Sequence, residues 1–586
     1  MLRTCSIVAF AAALFCSSAA ACGEVGIEAS RGVAGSGVAD QGEPPCVAGL
    51  DVQPGTSPAP KRDKRPDDGK PPTVDELAHD LRAPRPETRR SAVKKLSALG
   101  TREALALVVE ALGDLDGQVA DEAQVLLGST TDAKIVTELA GHAGLGSQDE
   151  WIQLRAAEAL GRVPVAIDAR HLLRCVSGSD ADLARTSLWS IERQLRSKHV
   201  VGDAKVLVKP VDAIAEGALP PEVRGAAVCA LQAADAFAAH DRAIDLLTER
   251  EPALRCAALL VATAFSEQEA LNLSVKALDD PAELVRTQAI ENLERQKSRN
   301  AVMALIGRLE REERSRLRWE ILRFLSTMSG EDHGFDLAAW RAWAAKIQGP
   351  WSTGDATPRA APIGDTRVAL AGLTLLSDRV AFLIDLSGSM WGAKVGEKTR
   401  KELVDERLRA CLEALPATAS FNVIPYTRDP IPWEKRLVRA TPENVKRALD
   451  AFERCHQTGP GNFFDAALLA LRDPDVDTIV ALTDGAPTGG HRWNLELMIE
   501  LLVETNRFRK VAFDSILVDA PKGNRRLWAD LAARTGGRSI AIELGPTTGN
   551  AGGAGRGESG RKPADDRHPP AKPDAPARKG ASEGAP

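Results

Sequence analysis

The chain has 586 residues, 75 of them basic and 81 acidic, for a formal charge of −6. So long a chain exceeds one core and suggests roughly three to five domain-sized units, while near balance of charge gives no global field favouring nucleic acid or a membrane surface. Aromatic content is only 4%, with a single tyrosine, and the dominant alanine and leucine favour helix.

Residues 1–22 read as an export signal. Arg3 gives a positive start, Ser6 to Phe15 is an apolar run too short to span a bilayer, and Ala19, Ala20 and Ala21 form a small-residue cleavage zone. Cys22 follows directly, where a lipid anchor would attach. Ala19 stands where lipoprotein signals usually carry leucine, so cleavage and release is the preferred reading. The expected location is the periplasm, cell envelope or extracellular space. No other apolar run is long enough for a transmembrane helix. Residues 23–72, rich in Gly, Pro, Ala and charge, read as a flexible tether.

Of the nine cysteines, Cys5 and Cys16 fall in the signal. Cys175, Cys229, Cys256 and Cys411 sit in helical apolar patterns and read as buried thiols. Cys22, Cys46 and Cys455 have no CxxC context and no histidine at zinc spacing, so neither a disulfide framework nor a zinc site is indicated.

Residues 73–345 repeat. A phrase of an apolar residue (threonine in the first copy), then a small one, then another apolar one starts at Thr88, Val119, Ile152, Leu183, Val223, Leu254, Val285 and Leu317. Successive starts lie 31, 33, 31, 40, 31, 31 and 32 residues apart, the mark of a stacked array rather than one helical bundle. Each period holds two helices. In the seventh, "SEQE" (Ser266 to Glu269) predicts a capping box before the first helix, and "DDP" separates it from the second. Ala92, Ala123, Ala227 and Ala289 are small enough for close helix approach. Val223-Arg224 and Val285-Arg286 bring the array nearest to the "VRxxAxxAL" phrase of HEAT-like repeats, which it resembles. That implies an α-solenoid with a surface for another macromolecule. His142, His171, His199 and His240 are isolated and read as surface residues. "FDLAAWRAWAAKIQ" predicts a closing helix, with Trp340 and Trp343 over the last apolar face.

A Pro/Gly-rich linker (346–365) leads to residues 366–544, where short apolar runs alternate with helical stretches. "VALAGLTLL", "RVAFLID", "SFNVIPY", "DTIVALTD", "KVAFDSILVD" and "RSIAIEL" predict strands. Strand–helix alternation predicts a mainly parallel, doubly wound α/β sheet with ligands at the carboxyl ends of its strands. Two strands end in acid, at Asp385 and Asp484. Residues 545–586 have almost nothing to bury and read as a disordered tail.

The pieces "DLSGS" (Asp385, Ser387, Ser389), "LTDG" (Asp484, Gly485) and "GNFFDAAL" (from Gly461) resemble a von Willebrand factor type A domain of Rossmann-like fold. The resemblance implies a metal-ion-dependent adhesion site at Asp385, Ser387, Ser389 and Asp484. Hydroxyl and acid oxygens around one small cation suit Mg²⁺, with Mn²⁺ or Ca²⁺ as alternatives. An acidic residue of a protein partner would fill the open position. The family's threonine just before "N" is replaced by Gly461. Thr458, three residues earlier, reaches the site only if its loop folds back. Asp429 reads as an exposed loop acid.

The sequence holds no GxSxG elbow, Walker loop or HExxH. A hydrolase built on Ser387 or Ser389 would need His456 or His491 beside them in space. The favoured expectation is a non-enzymatic, exported protein-binding scaffold. Nucleic acid is not an expected partner, and a membrane is one only through a lipid on Cys22. The alternatives are a metal-independent A-type module with a decayed site and, behind it, the hydrolase.

Overall fold

The computed structural model describes residues 72–347, 368–392, 394–395 and 397–543. The signal and tail fall outside these residues. So do the tether up to residue 71, Cys22 and Cys46, and the linker beyond residue 347.

Every repeat phrase begins two residues into a helix. The eight helices are Pro86–Leu99, Gly117–Ser129, Glu150–Leu160, Ala181–Arg196, Pro221–Ala234, Pro252–Ala262, Glu283–Gln296 and Ser315–Ser329. Each packs against the next in order, and shorter helices alternate with them. The small phrase residues Ala92, Ala123, Ala227 and Ala289 are fully buried between neighbours, where a larger side chain would hold the helices apart. Leu337–Ala345 closes the array, with the Trp340 indole buried and its Nε1 donating to the Gly334 carbonyl. The expected capping box at Ser266 is only half formed. The Ser266 hydroxyl accepts from the Glu269 N–H, but the Glu269 carboxylate bonds His240 on a neighbouring helix. His240 is therefore tied rather than isolated.

The second region is a six-stranded sheet. Its strands in chain order are β1 (Arg379–Asp385), β2 (Ser420–Tyr426), β3 (Val438–Arg439), β4 (Thr478–Thr483), β5 (Ala512–Val518) and β6 (Ser539–Ile542). The spatial order is β6-β5-β4-β1-β2-β3, parallel except where the short edge strand β3 meets β2. Helices Arg400–Ala414 and Pro442–Glu453 cover one face, and Phe463–Leu471, Leu495–Thr505 and Lys522–Arg534 cover the other. "VALAGLTLL" is not the single strand its composition suggested. Ala371 and Gly372 both take positive φ (47° and 95°), so the run turns back as a tight hairpin, Ala369–Leu370 against Leu373–Thr374.

Array and sheet domain fall within one unit, Pro71–Pro586. The second helices of the array lie along the sheet domain. Glu283 bonds Arg379 at the start of β1, Arg316 reaches Thr478 at the start of β4, and Glu291 bonds Lys510 just before β5. Further back along the array, Glu192 takes both arms of Arg507, and Arg193 bonds Glu500. Phe508 is buried in the array's core and Trp189 in the sheet domain's. These acids lie on the helix face that the sheet domain covers. Among the described residues no helix is long and apolar enough to cross a membrane.

Candidate metal centre

The sheet places the two acid-ended strands side by side. β1 lies between β2 and β4, so the chain runs outward in opposite directions on its two sides. At such a switch point a crevice opens beyond the carboxyl ends. Asp385 ends β1, and Asp484 directly follows β4. Residues after Asp385 turn at once into the short helix Gly388–Gly392, which brings Ser387 and Ser389 back over the strand end.

The oxygens converge. The Ser387 N–H donates to Asp385 Oδ1 at 2.8 Å, and the Ser387 and Ser389 hydroxyls are 3.1 Å apart. The Ser389 hydroxyl bonds the Asp484 carboxylate. Thr483, which the sequence reading passed over, donates its hydroxyl to Asp385 Oδ2 at 2.7 Å. It is the "T" of "LTDG", and its place on β4 next to β1 was the available signal. Asp385 is only 2% exposed. Burial raises its carboxyl to about 6, opposed by the Thr483 hydrogen bond and supported by the Asp484 charge. The Tyr426 phenol behind it is also pushed well up, by burial and then by Asp385.

The loop before "NFFDAAL" folds back to the site. Gly459 bridges Ser387, and its carbonyl accepts from the Gly388 N–H at 3.2 Å. Thr458 Oγ1 stands 4.0 Å from where a Gly388 Cβ would be, beside the serine turn. A Cβ built on Gly461 would stand 3.3 Å from Asp385 Oδ1 and 3.4 Å from Ser387 Cβ. Gly461 therefore occupies the corner that the resemblance gives to threonine, and it brings no hydroxyl there. Its N–H donates to the Thr488 hydroxyl, and its carbonyl accepts from the Thr488 N–H.

This is a von Willebrand factor type A domain.

Comparison with known proteins finds similarity over part of this chain. The mouse inter alpha-trypsin inhibitor heavy chain 4 is 35% identical over 130 residues, 20% of this chain and 13% of that one. The human inter-alpha-trypsin inhibitor heavy chain H2 is 33% identical over 123 residues, 19% of this chain and 12% of that one. The chain thus spans about an eighth of the length of these relatives. A solved von Willebrand factor type A structure from Catenulispora acidiphila is 20% identical, over 28% of this chain and 38% of that one, at a TM-score of 0.24. No protein-family model matches the chain.

The donor set of the A-type domain fits a hard cation: two carboxylates and two hydroxyls, with Thr458 alongside. Among the described residues no group of three or more His, Cys, Asp or Glu is placed to hold a metal. Of the two histidines considered for a hydrolase, His491 stacks on Trp151 of the array at 4.3 Å between ring centroids. His456 is exposed on the loop before Thr458. Asp429 is exposed on its loop, as expected, and its carbonyl accepts from the Thr427 N–H.

Proposed function

We propose that this chain is an exported, non-enzymatic scaffold whose A-type domain docks a protein partner through a divalent cation, most suitably Mg²⁺. Asp385, Ser387, Ser389 and Asp484 would hold the cation, and Thr458 is the nearest hydroxyl to stand in for the one Gly461 lacks. The cation would supply a hard positive charge with an open position for an acidic side chain of the partner. One observation carries this reading: Ser389 bridges from the Asp385–Ser387 corner on β1 to Asp484 beyond β4. The first helices of the array are the surface left for a second partner, with Phe237 79% exposed among them.

Affinity capture from a cell-envelope extract tests the docking role, with the full chain and an Asp484→Ala variant as bait. Proteins retained by the wild type, lost with chelator and restored by Mg²⁺ support it. The same proteins retained in chelator and by the variant contradict it. That second outcome is the metal-independent adapter, which Gly461 favours.

A further inference from the structure

We propose that the helical array is a working part of this site: Asp121, Glu158 and Arg492 are positioning residues that set the path of the loop carrying Asp484. The inference rests on the docking reading above for its purpose, but its geometry stands apart from it.

The loop runs from Asp484 to Asn494 and is pinned at two ends. At the near end the Gly485 carbonyl accepts from Asn524 Nδ2 at 2.8 Å and Trp528 Nε1 at 3.2 Å, both in the A-type domain. At the far end the array supplies a set of anchors. The His491 carbonyl accepts from Arg155. The Arg492 guanidinium, 1% exposed, donates to both oxygens of Glu158 and to the side-chain Oε1 of Gln124. Asp121 Oδ2 accepts from the Trp493 and Asn494 N–H groups at 2.6 Å each. Asn494 then caps helix Leu495–Thr505. Asp121 thus closes, from the array, the entry to a helix of the other domain.

Between the two pins lie only Ala486 to Gly490, and they touch the site. Thr488 clasps Gly461 through both backbone groups of that residue. Gly489 packs on Pro460 and Gly490 on Asn462, each so closely that a Cβ would collide. A five-residue span with two glycines holds one path only while both ends are fixed. Loosening the far pin therefore frees residues 486–490 and, through Thr488, the Gly461 turn beside Asp385. Linkage makes the effect mutual, so whatever tightens the site also tightens the array's grip.

The pair is also built to be all-or-none. Burial alone would raise the Glu158 carboxyl, but Arg492, Arg162 and Arg155 outweigh it and hold the carboxyl below its usual range. Arg155 itself is lowered to about 10, by burial and then by the like charge of Arg492. Two guanidiniums packed this closely stay together only around the Glu158 and Asp121 carboxylates.

The test is amide hydrogen exchange on the full chain, read alongside a Mg²⁺ titration. The double variant Glu158→Gln with Arg492→Met removes the buried pair at nearly constant volume. Asp121→Asn, a second variant, leaves Glu158 and Arg492 in place and weakens the clasp on Trp493 and Asn494 together with the buried Asp121–Arg155 ion pair. The expected result is exchange faster by about tenfold or more in residues 458–462 and 485–490, with strand 478–483 unchanged. Mg²⁺ binding should weaken in parallel. Unchanged exchange in these two segments in a folded variant overturns the inference. Should the wild type bind no Mg²⁺, the docking reading fails while the exchange data still decide the positioning role.

Discussion

Arg492 and Glu158 meet at 2.6 Å across 334 residues of sequence, fully buried between the array and the A-type domain. The junction therefore joins the two regions by charge as well as by apolar contact. Removing one member strands the other in a medium that cannot solvate it, at a cost of about 3–5 kcal/mol. Arg492→Met or Glu158→Gln alone should lower stability by that order, and the Glu158→Gln/Arg492→Met double variant by much less. Denaturant unfolding of the four proteins closes the cycle. A double variant as unstable as the sum of the singles would show that the pair is not coupled.

Gly117 is the first residue of its helix, where alanine is ordinarily the better helix former. A Cβ there would stand 2.4 Å from Trp493 Cδ1 and 3.0 Å from the Gly490 carbonyl. Gly117→Ala should thus destabilise by about 1–3 kcal/mol, the usual cost of overpacking. Thermal unfolding measures it. A rise in melting temperature would mean that the Trp493 loop yields without cost.

Gly461→Thr should add the hydroxyl missing from the site. The backbone at Gly461 is not among the positive-φ positions, and Asp385 Oδ1 would have to yield by a few tenths of an ångström. Ligand-shell changes typically alter metal affinity by about 10–100-fold, so a gain on the order of tenfold for Mg²⁺ is expected. Competition with a fluorescent Mg²⁺ indicator reads it. A loss of affinity would show that the crowding at Asp385 outweighs the added ligand.

At the amino end of the sheet, burial and then the Asp477 charge push Glu283 up to about 7, against the pull of Arg379 and Arg314. A carboxyl raised on folding favours the fold while it keeps its proton. Its contribution is full below the unfolded carboxyl range and is lost as pH rises through about 7. Glu283→Gln should flatten the decline in stability between about pH 5 and about pH 7. Urea midpoints at the two pH values test this, and parallel declines in both proteins would assign the titration elsewhere.

Much of this architecture was legible in local patterns. Each repeat phrase marks a helix because its apolar and small residues recur at the helical period and are the ones buried. Asp385 and Asp484 could be matched because each follows an apolar strand run and parallel sheets gather such ends. The junction was not legible. Gln124, Glu158 and Glu192 lie on polar stripes of their helices, and a polar stripe reads as solvated unless its partner is known. Their partners, Arg492 and Arg507, lie more than three hundred residues away, beyond any periodicity. Ala371 shows the local limit: two successive residues at positive φ turn an apolar run into a hairpin, and nothing in "VALAGLTLL" except Gly372 signals it. The return of the Thr458 loop likewise depends on backbone bonds to the serine turn, which side-chain identity does not encode.

The central claim is that Asp385, Ser387, Ser389 and Asp484 bind a divalent cation. Calorimetric titration of the full chain with Mg²⁺, against an Asp385→Ala control of matched folding, tests it most directly. The account predicts saturable heat at one site per chain in the wild type and none in the variant. Equal heats from the two proteins, or no binding by either, would contradict it.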